Sequence, residues 1–247
     1  LQGTATHIDA VADYSVDLIV TSPPYPMIEM WDGVFASQDG RIGDHLAAGR
    51  GRDACESMHA LLDRAWVERD VTPWNVPLLC DTKEIERPVD QNTLTTRYTQ
   101  EAQKFIRNNK DKPFFLYMPH TMPHIPLYVP NAVREPNPKN AYINTIEHID
   151  TEVGRLLKTL DELKLSNNTY VIYTTDNGPW LQFRHHGGSA GPLREGKGTT
   201  FEGGQRVPCV MRGPGIPSGT VCNELTGTID ILPTIAVLTG KPLPSNK

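Results

Sequence analysis

The run Tyr170-Val171-Ile172-Tyr173-Thr174-Thr175 stops abruptly at Asp176-Asn177-Gly178. β-Branched and aromatic residues favour extended chain, so the run reads as a buried strand closed by a turn residue. In an open α/β sheet, ligands gather beyond the carboxyl ends of strands. That places Asp176 and Asn177, two oxygen-bearing side chains, where chemistry belongs. Asp-Asn-Gly is also a common turn with no chemistry in it. Farther on, Lys197 stands between Gly196 and Gly198, so bare backbone flanks a cation that can approach an anionic group closely. Gly191 to Thr199 nearly spells a phosphate loop. That motif needs Ser or Thr directly after its Lys to hold magnesium, and Gly198 stands there instead.

The segments before this run alternate in period. Asn92 to Asn109 reads as a helix, because Tyr98, Ala102, Phe105 and Ile106 recur three and four apart. Phe114 to Met118 reads as a short buried strand that meets Pro119-His120-Thr121-Met122-Pro123-His124-Ile125-Pro126. His120 and His124 have the spacing of two metal ligands on a helix, but Pro123 and Pro126 make a helix there untenable. Asn144 to Leu163 carries an apolar stripe of Ile146, Ile149, Val153, Leu156, Leu157, Leu160 and Leu163, with Glu147, Asp150, Glu152 and Lys158 largely off it. Val207 to Met211 is a further strand, and a helix begins near Asp230 and ends at Gly240. Helix, strand, helix, strand is the order of a sheet covered by helices. Both polar loops, His120–His124 and Asp176–Asn177, then fall at the same edge of the sheet.

Composition excludes little. No apolar run approaches the ~20 residues of a membrane span. The net charge of −5 argues against a surface built to hold nucleic acid. Leu1 is not an initiator Met and no basic-then-apolar leader follows it, so the chain is expected to be a piece of a longer protein. Cys55, Cys80, Cys209 and Cys222 have no metal-type spacing and are expected to be buried free thiols, with a Cys209–Cys222 bridge as the alternative.

The blocks TTDNGPW and LREGKGTTFEGGQRVP, together with PFFLYMPHTMPHIPL, resemble the later catalytic motifs of the sulfatases, members of the alkaline-phosphatase-like α/β group. The resemblance runs from about Trp74 to Lys247. It implies an α/β fold with a mixed, mostly parallel sheet flanked by helices, here incomplete. It implies hydrolysis of sulfate esters at a calcium site, with a sulfated small molecule or glycan as substrate and a secreted, periplasmic or lysosomal location. By the same resemblance, Asp176 and Asn177 are calcium ligands. His124 matches the His of a His-x-Pro that lies on the ester oxygen and can protonate the leaving group, and Lys197 neutralises the sulfate oxygens. His120 is a weaker candidate, and Arg194, His185 and His186 are not carried by the motif. The family's nucleophile is an aldehyde hydrate made within Cys-x-Pro-x-Arg or Ser-x-Pro-x-Arg, and neither motif is present. The early acidic pair that completes the calcium site is also missing, so this chain alone is expected to be inactive.

The start of the chain has a different character. Val16 to Thr21 reads as a buried strand ending at Ser22-Pro23-Pro24-Tyr25-Pro26, where proline must stop it. The bland reading is a proline turn. The run also resembles the catalytic loop of DNA methyltransferases that modify exocyclic amino groups. The two prolines Pro23 and Pro24 make the loop rigid; by the resemblance, Ser22 and the Pro23 carbonyl accept hydrogen bonds from the amino group, and Tyr25 stacks on a base swung out of the duplex. S-adenosylmethionine, DNA and a cytoplasmic location belong to this alternative only. Met58, Leu61, Leu62 and Ala65 continue it as a core-facing helix. The expected division is residues 1–70 as a methyltransferase-like α/β fragment and 71–247 as a sulfatase-like fragment. With no linker composition at Val71-Thr72-Pro73, the join is expected to be chimeric.

Overall fold

In the computed structural model, the described residues are 16–21, 28–71 and 74–243. The methyltransferase-like loop Ser22 to Tyr25 lies outside them. The centre is a four-stranded sheet. It comprises β1 (Val16–Thr21), β4 (Phe115–Pro119), β5 (Thr169–Thr174) and β6 (Cys209–Arg212), in the order β4-β1-β5-β6. β1 runs parallel to both neighbours, with Ile19 opposite Tyr117 on one side and Ile172 on the other. β6 runs antiparallel to β5, with Thr174 opposite Cys209. The sheet is therefore mixed and mostly parallel, and its central position goes to the strand read from Val16 to Thr21.

β5 is the buried strand its composition predicts: Tyr170, Val171 and Ile172 are all buried. β4 corrects the expectation of a buried strand. It is a sheet edge, so its side chains alternate: Phe115 and Tyr117 are about half exposed, and Met118 is buried. The covered face of β4 packs on two helices, α4 (Leu94–Asn109) and α5 (Ala141–Glu162). Ala102 and Ile106 of α4 meet Leu156 and Leu160 of α5, with Met118 and Val171 beneath them. Spacings of three and four put these residues on single faces of their helices. α5 departs from its expected pattern at Glu152, which is buried rather than off the stripe. It is satisfied there by Arg155 Nη1 at 3.0 Å and by the Thr96 hydroxyl at 3.1 Å. A carboxylate with such partners tolerates burial, and no periodicity rule detects partners 56 residues away.

Upstream lie α1 (Ile28–Gln38), α2 (Gly40–Ala47) and α3 (Gly51–Glu68). α3 buries Met58, Leu61, Leu62, Ala65 and Trp66, the face expected of it. These side chains share one cluster with residues from beyond residue 71. Phe35, Ile42, Leu62 and Trp66 pack with Met122, Ile125, Val129, Ile149 and Phe183. The Trp66 Nε1 also donates to the Glu135 carbonyl at 2.9 Å. The hairpin of β2 (Leu78–Cys80) and β3 (Lys83–Glu86) follows α3, and α6 (Glu202–Gln205) precedes β6. α7 (Ile231–Thr239) ends at Gly240, whose φ of 63° is the left-handed cap expected of a glycine there. All four cysteines are exposed and none is in a disulfide, which corrects both the buried-thiol reading and the Cys209–Cys222 bridge. Among the described residues, no helix is long and apolar enough to cross a membrane.

Candidate active site

The carboxyl ends of the parallel strands converge. β4 ends at Pro119 and hands over to His120, and β5 ends at Thr174 and hands over to Thr175-Asp176. Thr21, the last residue of β1, is paired with Pro119 at the same edge. Beyond this edge lies a cavity of about 570 Å³. His120, His124, Asp176, Asn177 and Lys197 all line it, with Trp180 and Tyr142 as aromatic walls. The residues predicted from three separate loops are thus brought together.

The Asp-Asn-Gly turn and the lysine loop are bound to each other through backbone. Gly178 N donates to Gly204 O at 2.9 Å, and Lys197 N donates to Pro179 O at 2.8 Å. Glycine makes this possible. A Cβ on Gly178 would run into the carbonyl of Gly203, and one on Gly203 into that of Glu195, well inside the 3.0 Å that real Cβ contacts respect. Gly196 likewise faces the Pro179 carbonyl and the Leu181 side chain. The glycine before Lys197 thus has a second role beside leaving the lysine uncrowded. Gly196 lets two stretches of backbone touch, and that contact holds the lysine over the cavity.

Lys197 is half-buried, with Nζ 5.0 Å from the centre of the Trp180 ring. Burial lowers its pKa, and the charge of Asp176 opposes that shift. Asp176 is raised above the usual carboxylate range, chiefly by burial. Its carboxylate accepts hydrogen bonds from the Asn177 side-chain amide and, at 3.3 Å, from the Thr175 hydroxyl. A half-buried carboxylate beside a carboxamide is a hard-oxygen donor pair of the kind that suits calcium. Two such donors alone would not complete a calcium site, since calcium takes six to eight oxygens. Among the described residues, the one group of three or more His, Cys, Asp and Glu side chains close enough to share a cation lies elsewhere.

His124 is mostly buried, and burial depresses its pKa to about 4. Its Nδ1 lies 2.7 Å from the Ile125 carbonyl. A carbonyl only accepts, so Nδ1 carries the proton and the neutral ring presents Nε2 as an acceptor. His120 is 3% exposed, and neither ring nitrogen has a hydrogen-bond partner. Burial holds it near pKa 4, against an ordinary 6.5. The shift has a consequence for stability. Between pH 6.5 and about 4, the unfolded chain binds a proton at this position that the folded chain refuses. Stability is therefore full above the unfolded value and is lost as pH falls through that window, by up to about 3 kcal/mol for this group. Urea unfolding at pH 7 and 4.5 should show a smaller acid loss in His120→Gln than in the parent. Equal losses would mean that His120 carries none of the effect.

Sequence reasoning left Arg194 open as a site residue. Its guanidinium lies 3.9 Å above the Phe201 ring, and it does not line the cavity. Arg206 does line it and was missed, because a single arginine before a strand carries no signal in sequence.

The ends of the parallel strands thus gather a lysine, two histidines and a hard-oxygen pair around one cavity. The family model described as Sulfatase matches residues 27–241, and the chain belongs to the sulfatase family. Steryl-sulfatase of Rattus norvegicus is 38% identical over 181 residues, covering 71% of this chain and 31% of its own length. Human arylsulfatase A is 36% identical over 172 residues, covering 69% and 34%. The chain therefore spans about a third of the length of the curated relatives it matches. Among solved structures, the PsFucS1 sulfatase from Pseudoalteromonas sp. superposes with a TM-score of 0.59 at 31% identity, over 64% of this chain and 34% of that one. Ps i-CgsB superposes with a TM-score of 0.60 over 94% of this chain and 52% of that one; at 21% identity it shows the fold alone.

Proposed function

We propose that this chain carries the sulfate-binding part of a sulfate ester hydrolase site and does not complete the reaction by itself. The observation that supports this most is the convergence of His124, Lys197, Asp176 and Asn177 on one cavity. Lys197 neutralises the sulfate oxygens. Asp176 and Asn177 would hold calcium, which supplies Lewis-acid polarisation of the sulfuryl group. The aromatic walls Trp180 and Tyr142 fit the apolar face of an aryl, steroid or sugar leaving group, so a sulfated small molecule or glycan is the substrate class. No Cys-x-Pro-x-Arg or Ser-x-Pro-x-Arg motif is present to attack sulfur, so binding without turnover is expected.

His124 cannot rest as the proton donor, because it is neutral near pH 7 and its Nε2 bears no proton. A bound sulfate brings negative charge to the ring and raises its pKa. Binding is then coupled to proton uptake, and affinity rises as pH falls from 7 towards the free value of about 4. Calorimetric titration with an aryl sulfate should give tighter binding at pH 5.5 than at 7.5, and His124→Gln should flatten the difference. A pH dependence retained in His124→Gln would assign it to another group.

The second reading, an S-adenosylmethionine-dependent methyltransferase acting on DNA amino groups, rests on Ser22, Pro23, Pro24 and Tyr25. The family match beginning at residue 27 covers most of the segment that reading assigns. Binding of S-adenosylmethionine by the chain would favour it. Whether residues 1–70 come from a second gene is decided by one long nucleic-acid read across the codons for Met58 to Asp90. A read without the join means two genes, and a read with it means one.

A further inference from the structure

We infer that His59, Asp63, His185 and His186 form a closed site for a divalent transition metal of the zinc class, tying α3 to the loop that borders the cavity. His59 and Asp63 are four apart on α3 and so project from one face of the helix. His185 and His186 end the short 3-10 segment Leu181–His186. Neighbouring residues normally diverge, but the backbone turns sharply at Arg184, with φ 47° and ψ −120°. Both imidazoles then reach the same carboxylate: His186 Nε2 is 2.7 Å and His185 Nε2 2.9 Å from Asp63 Oδ1. His59 Nδ1 lies 3.9 Å from the other oxygen, Oδ2. The His59 ring centre is 4.4 Å from that of His185 and 5.5 Å from that of His186. The Arg184 side chain, paired with Glu56 of α3, anchors the loop beside the group.

One ligand atom from each of the four residues lies within 4.8 Å of all the others. Zinc–nitrogen bonds of about 2.0–2.1 Å in a tetrahedron place ligand atoms about 3.3 Å apart, so only small movements of side chains are needed. Three imidazoles and one carboxylate are a nitrogen-rich set, which suits zinc, cobalt or nickel and not calcium. Hydrogen bonding alone accounts for the group poorly. Asp63 Oδ1 can accept from both His185 and His186, but His59 Nε2 and His186 Nδ1 are left buried without partners. His186 is 1% exposed, and four protein ligands leave no open position, so the site is structural. Its position decides its role. It clamps α3 to the loop whose His186 lines the cavity, and so fixes one wall of the sulfate site.

The chain, stripped with a chelator, is titrated with Co(II) and, separately, with Zn(II) under dialysis. The expected result is one equivalent of metal, the intense d–d absorption of a four-coordinate ion, no thiolate charge-transfer band, and no displacement by excess calcium. His59→Gln and His185→Gln should each weaken zinc binding by more than the ~10–100-fold that losing an outer-shell partner costs. A thiolate band would assign the ion to one of the exposed cysteines and overturn the site. So would an octahedral spectrum, absence of binding in the parent chain, or unchanged affinity in both variants. The Co(II) spectrum of the parent chain decides the matter even where a variant fails to fold.

Discussion

Trp66→Ala is expected to cost about 3–5 kcal/mol of folding stability, the range for removing a large aromatic from a packed core. Trp66 is 2% exposed on α3 and shares a cluster with Phe35, Leu62, Met122, Ile125 and Val129. Its loss leaves a cavity between helix and loop that neither can close, because both are held by other contacts. It also strands the Glu135 carbonyl, which accepts from Nε1 at 2.9 Å. Trp66 lies before residue 71, and most of its partners lie after it. If the two sides form one cooperative unit, urea unfolding of Trp66→Ala should shift as a single transition for every signal. Two transitions, with the signal from the 94–243 region unmoved, would mean that α3 contributes nothing to the rest of the chain.

Gly178→Ala is expected to have an effect of similar size, about 3 kcal/mol or more, and to act on the site directly. The added methyl group points into the carbonyl of Gly203, which is backbone and cannot rotate away. Relief requires the loop carrying Lys197 to part from the Asp-Asn-Gly turn, breaking the 2.9 Å bond from Gly178 N to Gly204 O. Sulfate binding should therefore fall with stability. Gly191→Ala is a useful contrast: its Cβ meets nothing, and its φ of 59° carries only the ordinary strain of the left-handed region. It should cost about 1 kcal/mol and leave binding intact. Equal effects from the two substitutions would refute the close-contact explanation.

The strand β5 and the helices α3, α4, α5 and α7 were legible because their signals are local, whereas α1, α2 and α6 were not read. The apolar run at Tyr170 and the stripe through Ile149, Leu156 and Leu160 declare strand and helix within a few turns of chain. The convergence of His124 with Asp176 was also legible, since parallel strands deliver their following loops to one edge. What depended on neighbours was not. The sequence of β4 does not say that Phe115 and Tyr117 face outward, because an edge position is a property of the sheet order. Glu152 reads as a surface residue until Thr96 and Arg155 are seen beside it. The β2–β3 hairpin escaped notice because its turn, Asp81-Thr82, lacks the glycine that marks tight hairpins; Asp81 adopts a φ of 54° instead. His59 and Asp63 meet His185 and His186 across more than 120 residues, a pairing that no spacing rule reaches.

Titration of the purified chain with an aryl sulfate in the presence of calcium, comparing the parent with Lys197→Ala and assaying the same mixtures for released phenol and sulfate, tests the central claim most directly. Loss of a charge-assisted contact should weaken binding at least ~10-fold in Lys197→Ala, with no product formed by either protein. Equal affinity in the two proteins would remove Lys197 from the site, and hydrolysis abolished by Lys197→Ala would show that the chain is a complete enzyme.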